Sequence, residues 1–155
     1  IYDGIMPTED FASDQINIII SDKKGDSTNK LGQSGLVRNI GLKDIDTEWV
    51  GFLDDDDIIT ENYTELLFNK YWNNDLVIFR MYCNVHNCII PRINDETIRL
   101  GNIGISFCYK FKDLNNPLMF KANKQDEDLM FVKELIKNGY NYTITDEVCY
   151  VVRPK

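Results

Sequence analysis

The stretch that most limits what this chain can become is Trp49–Asp57, WVGFLDDDD, where a short apolar run ends in four consecutive aspartates. A short run that is apolar on both faces marks a strand covered on both sides, as strands are inside α/β sheets. Adjacent carboxylates raise one another's pKa and resist ionising together. A solvated turn before an acidic helix start is the plain explanation of such a run. A hard divalent cation explains it better at the end of a buried strand. Mg2+ and Mn2+ take oxygen ligands, often one or two carboxylates plus substrate phosphates. The run predicts a central strand whose end opens into a ligand cleft, where open α/β sheets bind their ligands.

The flanking segments extend this picture. Ile1–Ile5 reads as the tail of a strand ending in an Asp-Gly turn, and Gln15–Asp22 as a buried β-branched strand. Ser34–Asp46 carries Leu36, Val37, Ile40 and Leu42 at helical spacing. Thr60 is the expected N-cap of a helix reaching about Trp72, with Glu61 in its first turn. Asp75–Val85 and Cys88–Ile93 read as a strand pair, and Ile98–Phe111 continues the β-rich region. A second helix is predicted over Glu127–Asn138, with Leu129, Val132, Leu135 and Ile136 on one face and Gly139 as its C-cap. Tyr142–Val152 is the last strand. The order predicts an α/β fold, mainly a parallel sheet with an antiparallel addition, in a single domain over residues 1–155.

Composition narrows the function classes. The 155 residues are 43% hydrophobic and 12% aromatic, enough for one core. The formal net charge of −8 argues against a nucleic-acid partner, because there is no cationic excess to displace counterions. No apolar run approaches the roughly 18 residues that cross a bilayer, and no signal peptide is visible, so a cytoplasmic location is the expectation. The chain opens at Ile1 rather than Met, and the expectation is an N-terminally incomplete piece of a longer protein. Cys83 and Cys88 flank His86 in CNVHNC, but a zinc site wants a second ligand pair. Cys83, Cys88, Cys108 and Cys149 are expected as buried or half-buried thiols on strands, His86 as structural or exposed, and Trp72 as core.

The ordered set of motifs, Tyr2-Asp3-Gly4, then Val37-Arg38-Asn39-Ile40-Gly41, then Leu53-Asp54-Asp55-Asp56-Asp57, then Glu127-Asp128 opening a helix closed by Gly139-Tyr140, resembles the family 2 glycosyltransferases of the A-type (GT-A) fold. The resemblance covers nearly the whole chain. Tyr2 replaces the family's first Asp, and Asp126 stands where a Gly is usual. The family's first strand and helix are not present in the sequence.

The resemblance implies transfer of a sugar from a nucleoside-diphosphate sugar, UDP-linked by preference, to a hydroxyl of a glycan, protein or lipid acceptor. It implies Mn2+ or Mg2+ as cofactor, held by Asp56 and Asp54 with Asp57 as a further candidate. Asp128 would be the general base of an inverting reaction, and Glu127 would bind the acceptor or shape the site. Asp3, Arg38 and Asp54 would contact the nucleotide, with a tie between helix and sheet as the equal alternative for Arg38. Arg153 would stand for the family's C-terminal cation near the phosphates. Two other readings remain open at this point: a nucleotidyltransferase, and a non-catalytic relative that binds or assembles.

Overall fold

The computed structural model describes residues 34–112, 117–121 and 126–153, together with the backbone of 2–3 and 20–21. They belong to two compact units, Ile1–Asp46 with Asp113–Phe131, and Thr47–Lys112 with Val132–Lys155.

In the first unit, β1 (Tyr2–Asp3) pairs in parallel with β2 (Ile20–Ser21). Helix α1 (Ser34–Leu42) buries Gly35 and Leu42. Helix α3 (Glu127–Lys137) begins in this unit, and its Leu129 and Phe131 are buried. Phe131 stacks on Phe120 with ring centroids 4.1 Å apart. The Asn39 side chain brackets the backbone of Phe120. Its Nδ2 donates to the Phe120 carbonyl at 2.9 Å, and its Oδ1 accepts the Phe120 N–H at 2.7 Å. One amide side chain thus satisfies both backbone groups of a residue outside any strand, groups that would be costly if buried unpaired.

The second unit holds β3 (Trp49–Gly51), β4 (Ile58–Ile59), α2 (Tyr63–Asn69), β5 (Leu76–Cys83), β6 (Cys88–Ile90), β7 (Phe107–Lys110) and β8 (Tyr142–Val152). The sheet runs β3-β7-β5-β8-β4, with β6 also paired to β5. Strand β5 is buried at every position except half-buried Tyr82, which is why LVIFRMYC is apolar on both faces. Tyr63 and Leu67 of α2, with Tyr71 just beyond it, pack on Val77, Phe79, Cys108 and Cys149. Each such side chain contributes about 1.5–3 kcal/mol over remaining exposed. All four cysteines are free and lie on strands, three buried and Cys88 half-buried, as expected.

Strand direction differs from the expectation. Among the described residues only β5–β8 and β1–β2 are parallel, and the other pairings, β3–β7, β5–β7, β5–β6 and β4–β8, are antiparallel. Burial on both faces is common to central strands of either direction, so the apolar runs did not distinguish them. In the second unit's described sheet, β8 is reached from β7 through α3, and it is the strand that lies parallel to its neighbour β5.

Strand β3, expected to be central, ends the described strand order, and Leu53 beyond it is 51% exposed. Its apolar run serves aromatic packing instead. Trp49 lies 6.0 Å from Trp72, and Phe52 lies 5.6 Å from Phe107, ring centre to ring centre. Trp72 is 39% exposed rather than core.

Helix α2 starts later than the Thr60 cap predicts. The Thr60 N–H donates to the Cys149 carbonyl at 3.0 Å, so the chain is still extended alongside β8 at that residue. Asn62 precedes the helix, and the Thr60 hydroxyl donates to its Oδ1 at 2.6 Å.

Helix α3 matches its prediction to within a residue. Gly139 takes φ +84°, a left-handed conformation that glycine adopts without a Cβ penalty. The Gly139 N–H then reaches the Ile136 carbonyl at 3.0 Å and the Tyr140 N–H the Leu135 carbonyl at 3.2 Å. Both orphan carbonyls of the last turn are satisfied.

Arg80 is the one charged residue of β5 and is fully buried. Its Nη1 donates to the carbonyls of Pro91 at 2.9 Å, Arg92 at 2.5 Å and Asp95 at 3.4 Å. The largely exposed Asp146 carboxylate lies 3.9 Å from its Nη2. The Asp95 side chain in turn accepts from Thr97, Arg99 and Asn102, and these bonds hold its carboxyl well below the usual carboxylate range.

Candidate active site

The sequence-predicted residues fall into two clusters, one in each unit.

In the second unit, Asp54–Asp57 form a turn between β3 and β4, closed by the Asp57 N–H donating to the Asp54 carbonyl at 3.0 Å. Asp55 is exposed and the other three are half-buried. Strand β8 holds this turn. The buried Tyr150 hydroxyl accepts the Asp54 N–H at 3.2 Å and is hydrogen-bonded to the Asp57 carboxylate. The Arg153 N–H donates to Asp57 Oδ1 at 3.2 Å. The Arg153 guanidinium donates through Nε to the Asp56 carbonyl and through Nη2 to the Asp55 carbonyl at 3.3 Å.

Desolvation raises the Asp57 carboxyl above its ordinary value, against the opposing bonds from Tyr150 and Arg153, and its neighbours Asp54 and Asp56 push the same way. Burial pushes the Tyr150 phenol far above its usual range, so it is a neutral hydroxyl able to donate and accept at once. Among the described residues no group of three or more His, Cys, Asp or Glu side chains is placed to hold a metal ion.

In the first unit, Arg38, Glu127 and Asp128 come together across about ninety positions of chain. Arg38 Nη1 donates to Glu127 Oε1 at 3.3 Å and to Asp128 Oδ1 at 3.0 Å. These side chains are only 12%, 10% and 24% exposed, so the pairs lie outside the weak regime of surface salt bridges. Glu127 also accepts the Gly35 N–H on both oxygens, each at 3.1 Å. It thereby places a negative charge at the N-terminus of α1, where the helix dipole favours one. The Arg38 guanidinium lies 5.5 Å from the centre of the Phe120 ring. The carboxylate pair at the start of α3 is thus aimed by α1, not by solvent.

Asp3 lies in β1, and its side chain is outside the described residues, as is Gly4. His86 is exposed in the β5–β6 turn. Sequence reasoning missed Tyr150 and Gly35, and it named Asn39 only as part of a motif, without its bonds to Phe120. A tyrosine in an apolar strand carries no signal of what its hydroxyl reaches. Gly35 and Asn39 lie in the Ser34–Asp46 segment, which reads as helix and gives no sign of what either residue contacts.

No family model matches the chain. Over 137 residues it is 32% identical to the poly(ribitol-phosphate) beta-N-acetylglucosaminyltransferase TarP of Staphylococcus aureus (strain N315). The match covers 78% of this chain and 42% of that protein, so the chain spans less than half the length of this relative. The chain is a homologue of part of a glycosyltransferase. No described helix is long and apolar enough to cross a membrane.

Proposed function

We propose that this chain is the nucleotide-sugar-binding and base-bearing part of a GT-A glycosyltransferase that moves a sugar from a nucleoside diphosphate to an acceptor hydroxyl with inversion. The observation that carries the reading is the Arg38–Glu127–Asp128 cluster, in a chain 32% identical to part of a glycosyltransferase. Asp128, at the first turn of a rigid helix, takes the proton of the attacking hydroxyl, and such general-base help is worth about 10²–10⁴ in rate. Arg38 fixes the orientation of that carboxylate. Glu127 is spent on α1 and Arg38, so its role is to shape the site. Asp3 contacts the nucleotide from the end of β1.

The donor set for a cation is Asp54 and Asp56, two oxygen ligands that a diphosphate would complete, the habit of Mg2+ and Mn2+. Bound there, the ion would neutralise charge developing on the leaving diphosphate. The Asp57 carboxylate accepts from Tyr150 and Arg153. The relative's name makes N-acetylglucosamine the first sugar to test and a polyol-phosphate polymer the first acceptor.

The full-length protein is incubated with Mn2+ and a panel of UDP-sugars. Transfer or donor hydrolysis is expected from the parent and not from Asp56→Ala or Asp128→Asn. An inactive parent that also shows no metal-dependent nucleotide binding rules the reading out.

A further inference from the structure

Strands β5 and β6 pair antiparallel with Cys83 directly opposite Cys88. Directly opposed residues of such a pair point to the same face of the sheet. Their Cα atoms stand about 4.5 Å apart in a non-hydrogen-bonded pair and about 5.5 Å apart in a hydrogen-bonded one. Both spacings fall inside the range of about 4.4–6.8 Å that a disulfide spans. Both residues are free thiols, Cys83 buried and Cys88 half-buried. The turn between them keeps the two strand ends together. The Asn87 N–H donates to the Asn84 carbonyl at 3.4 Å, and the Tyr82 hydroxyl donates to Asn87 Oδ1 at 2.5 Å. Asn84 in turn donates to the Val152 carbonyl through its N–H and its Nδ2, each at 3.1 Å. A metal centre does not account for the pair, because no three His, Cys, Asp or Glu side chains among the described residues are placed to hold an ion. We propose that Cys83 and Cys88 are a redox-labile pair that closes to a cross-strand disulfide by exchange with a low-molecular-weight disulfide such as oxidised glutathione.

The half-exposed Cys88 is the sulfur that an incoming disulfide meets first. Its thiolate attacks one sulfur of glutathione disulfide, one glutathione leaves, and Cys88 carries the other as a mixed disulfide. The Cys83 thiol then gives up its proton and attacks the Cys88 sulfur, expelling the second glutathione. Two protein thiols are oxidised, one small disulfide is reduced to two thiols, and the two protons end on the departing glutathiones. The closed bond is readily reopened. Opposed residues hold their Cβ atoms about 4.5–5.5 Å apart, whereas a relaxed disulfide wants about 3.8 Å. Closure therefore strains the strand pair, and strained disulfides are the ones that reduce easily. The other two cysteines cannot do the same. Cys108 on β7 and Cys149 on β8 have β5 between them, two strand spacings that no disulfide spans. Burial also pushes the Cys108 thiol up to about 12 and raises that of Cys149, which keeps both from forming the reactive thiolate.

The test incubates the folded full-length protein with oxidised glutathione, then denatures it, alkylates the remaining thiols, digests it with trypsin and weighs the peptides. Cleavage after Arg80 and Arg92 leaves both cysteines in one peptide, Met81–Arg92. That peptide is expected to lose both alkylation sites and to be lighter than its dithiol form by two hydrogens, while Cys108 and Cys149 stay fully alkylatable. Reduced glutathione, added without denaturant, should restore both sites. Cys88→Ser should leave Cys83 a free thiol, and Cys83→Ser should stop at the mixed disulfide on Cys88. The state of Cys108 and Cys149 in each digest reports whether the variant is folded, and the parent alone decides the inference if one is not. A parent that keeps both thiols, or that carries glutathione on Cys88 without closing, overturns the pairing. Equal reaction of Cys108 or Cys149 marks general opening of the fold and overturns it too. A bond that closes but resists reduced glutathione overturns its lability.

Discussion

Glu127 receives the backbone N–H of Gly35 on both carboxylate oxygens, each at 3.1 Å, so the first residue of α3 holds the first turn of α1. The two residues are 92 positions apart in the chain. Their approach has no room in it: a Cβ on Gly35 would stand 2.6 Å from Phe120 Cβ and 2.7 Å from Glu127 Oε2.

Gly35→Ala is therefore expected to destabilise the protein. Alanine gains up to about 1 kcal/mol of helix propensity over glycine. Overpacking costs about 1–3 kcal/mol, and it should win because Phe120 Cβ, unlike the end of the Glu127 side chain, cannot swing away. Urea denaturation checks the sign, and an equal or higher midpoint would show that the contact relaxes freely.

Asp57→Asn should stabilise the fold slightly at neutral pH. Burial raises the folded-state pKa of Asp57 above 3.8, so the folded protein holds its proton more tightly than the unfolded chain. Stability then falls as pH rises through that window, and the cost is fully present at pH 7. The asparagine should melt higher at pH 7, with the gap closing as pH falls toward 3.8. A gap independent of pH would exclude this cause.

Glu147 joins Lys70, at 2.5 Å, to the Tyr71 hydroxyl. Burial works to raise its pKa, yet the bonds from Lys70 and Tyr71 prevail and hold it below 4.5. A depressed folded pKa adds stability that is present above about 4.5 and lost as pH falls through the folded value. Tyr71→Phe should cost about 1.5 kcal/mol at pH 7, the low end for a hydrogen bond to a charged group. That deficit should shrink in denaturation curves taken at successively lower pH.

Arg80→Met keeps most of the side-chain volume and removes the donor to three carbonyls. Losing donors to buried acceptors costs about 1–3 kcal/mol, and the damage should be local as well as global. Hydrogen exchange or limited proteolysis should show opening concentrated between Pro91 and Asn102. Uniform opening across the chain would mean that Arg80 does not organise that segment.

The parts of this structure that sequence reasoning reached are those with local causes. Gly139 ends α3 because only its φ allows the closing bonds, and the four cysteines follow the strands they sit in. The order of acidic motifs also pointed to a glycosyltransferase relative, and similarity to one over 78% of the chain agrees. What could not be read depended on distant partners. The late start of α2 is set by Thr60 bonding to Cys149, and strand direction by the crossover between β7 and β8. The grip of Tyr150 on Asp54 joins residues 96 positions apart, and nothing in either residue's neighbours announces it.

The buried Arg80 gives the irregular stretch after β6 a standing that its lack of secondary structure hides. The carbonyls of Pro91, Arg92 and Asp95 are the nearest thing this cation has to a hydration shell, and they are covalently part of the chain. Length changes in surface loops are ordinarily cheap. An added or deleted residue between Ile90 and Asp95 would instead dehydrate a charge in the middle of the sheet. That segment should tolerate new side chains on its outward positions and refuse new spacing, more like a metal-binding loop whose ion happens to be an arginine.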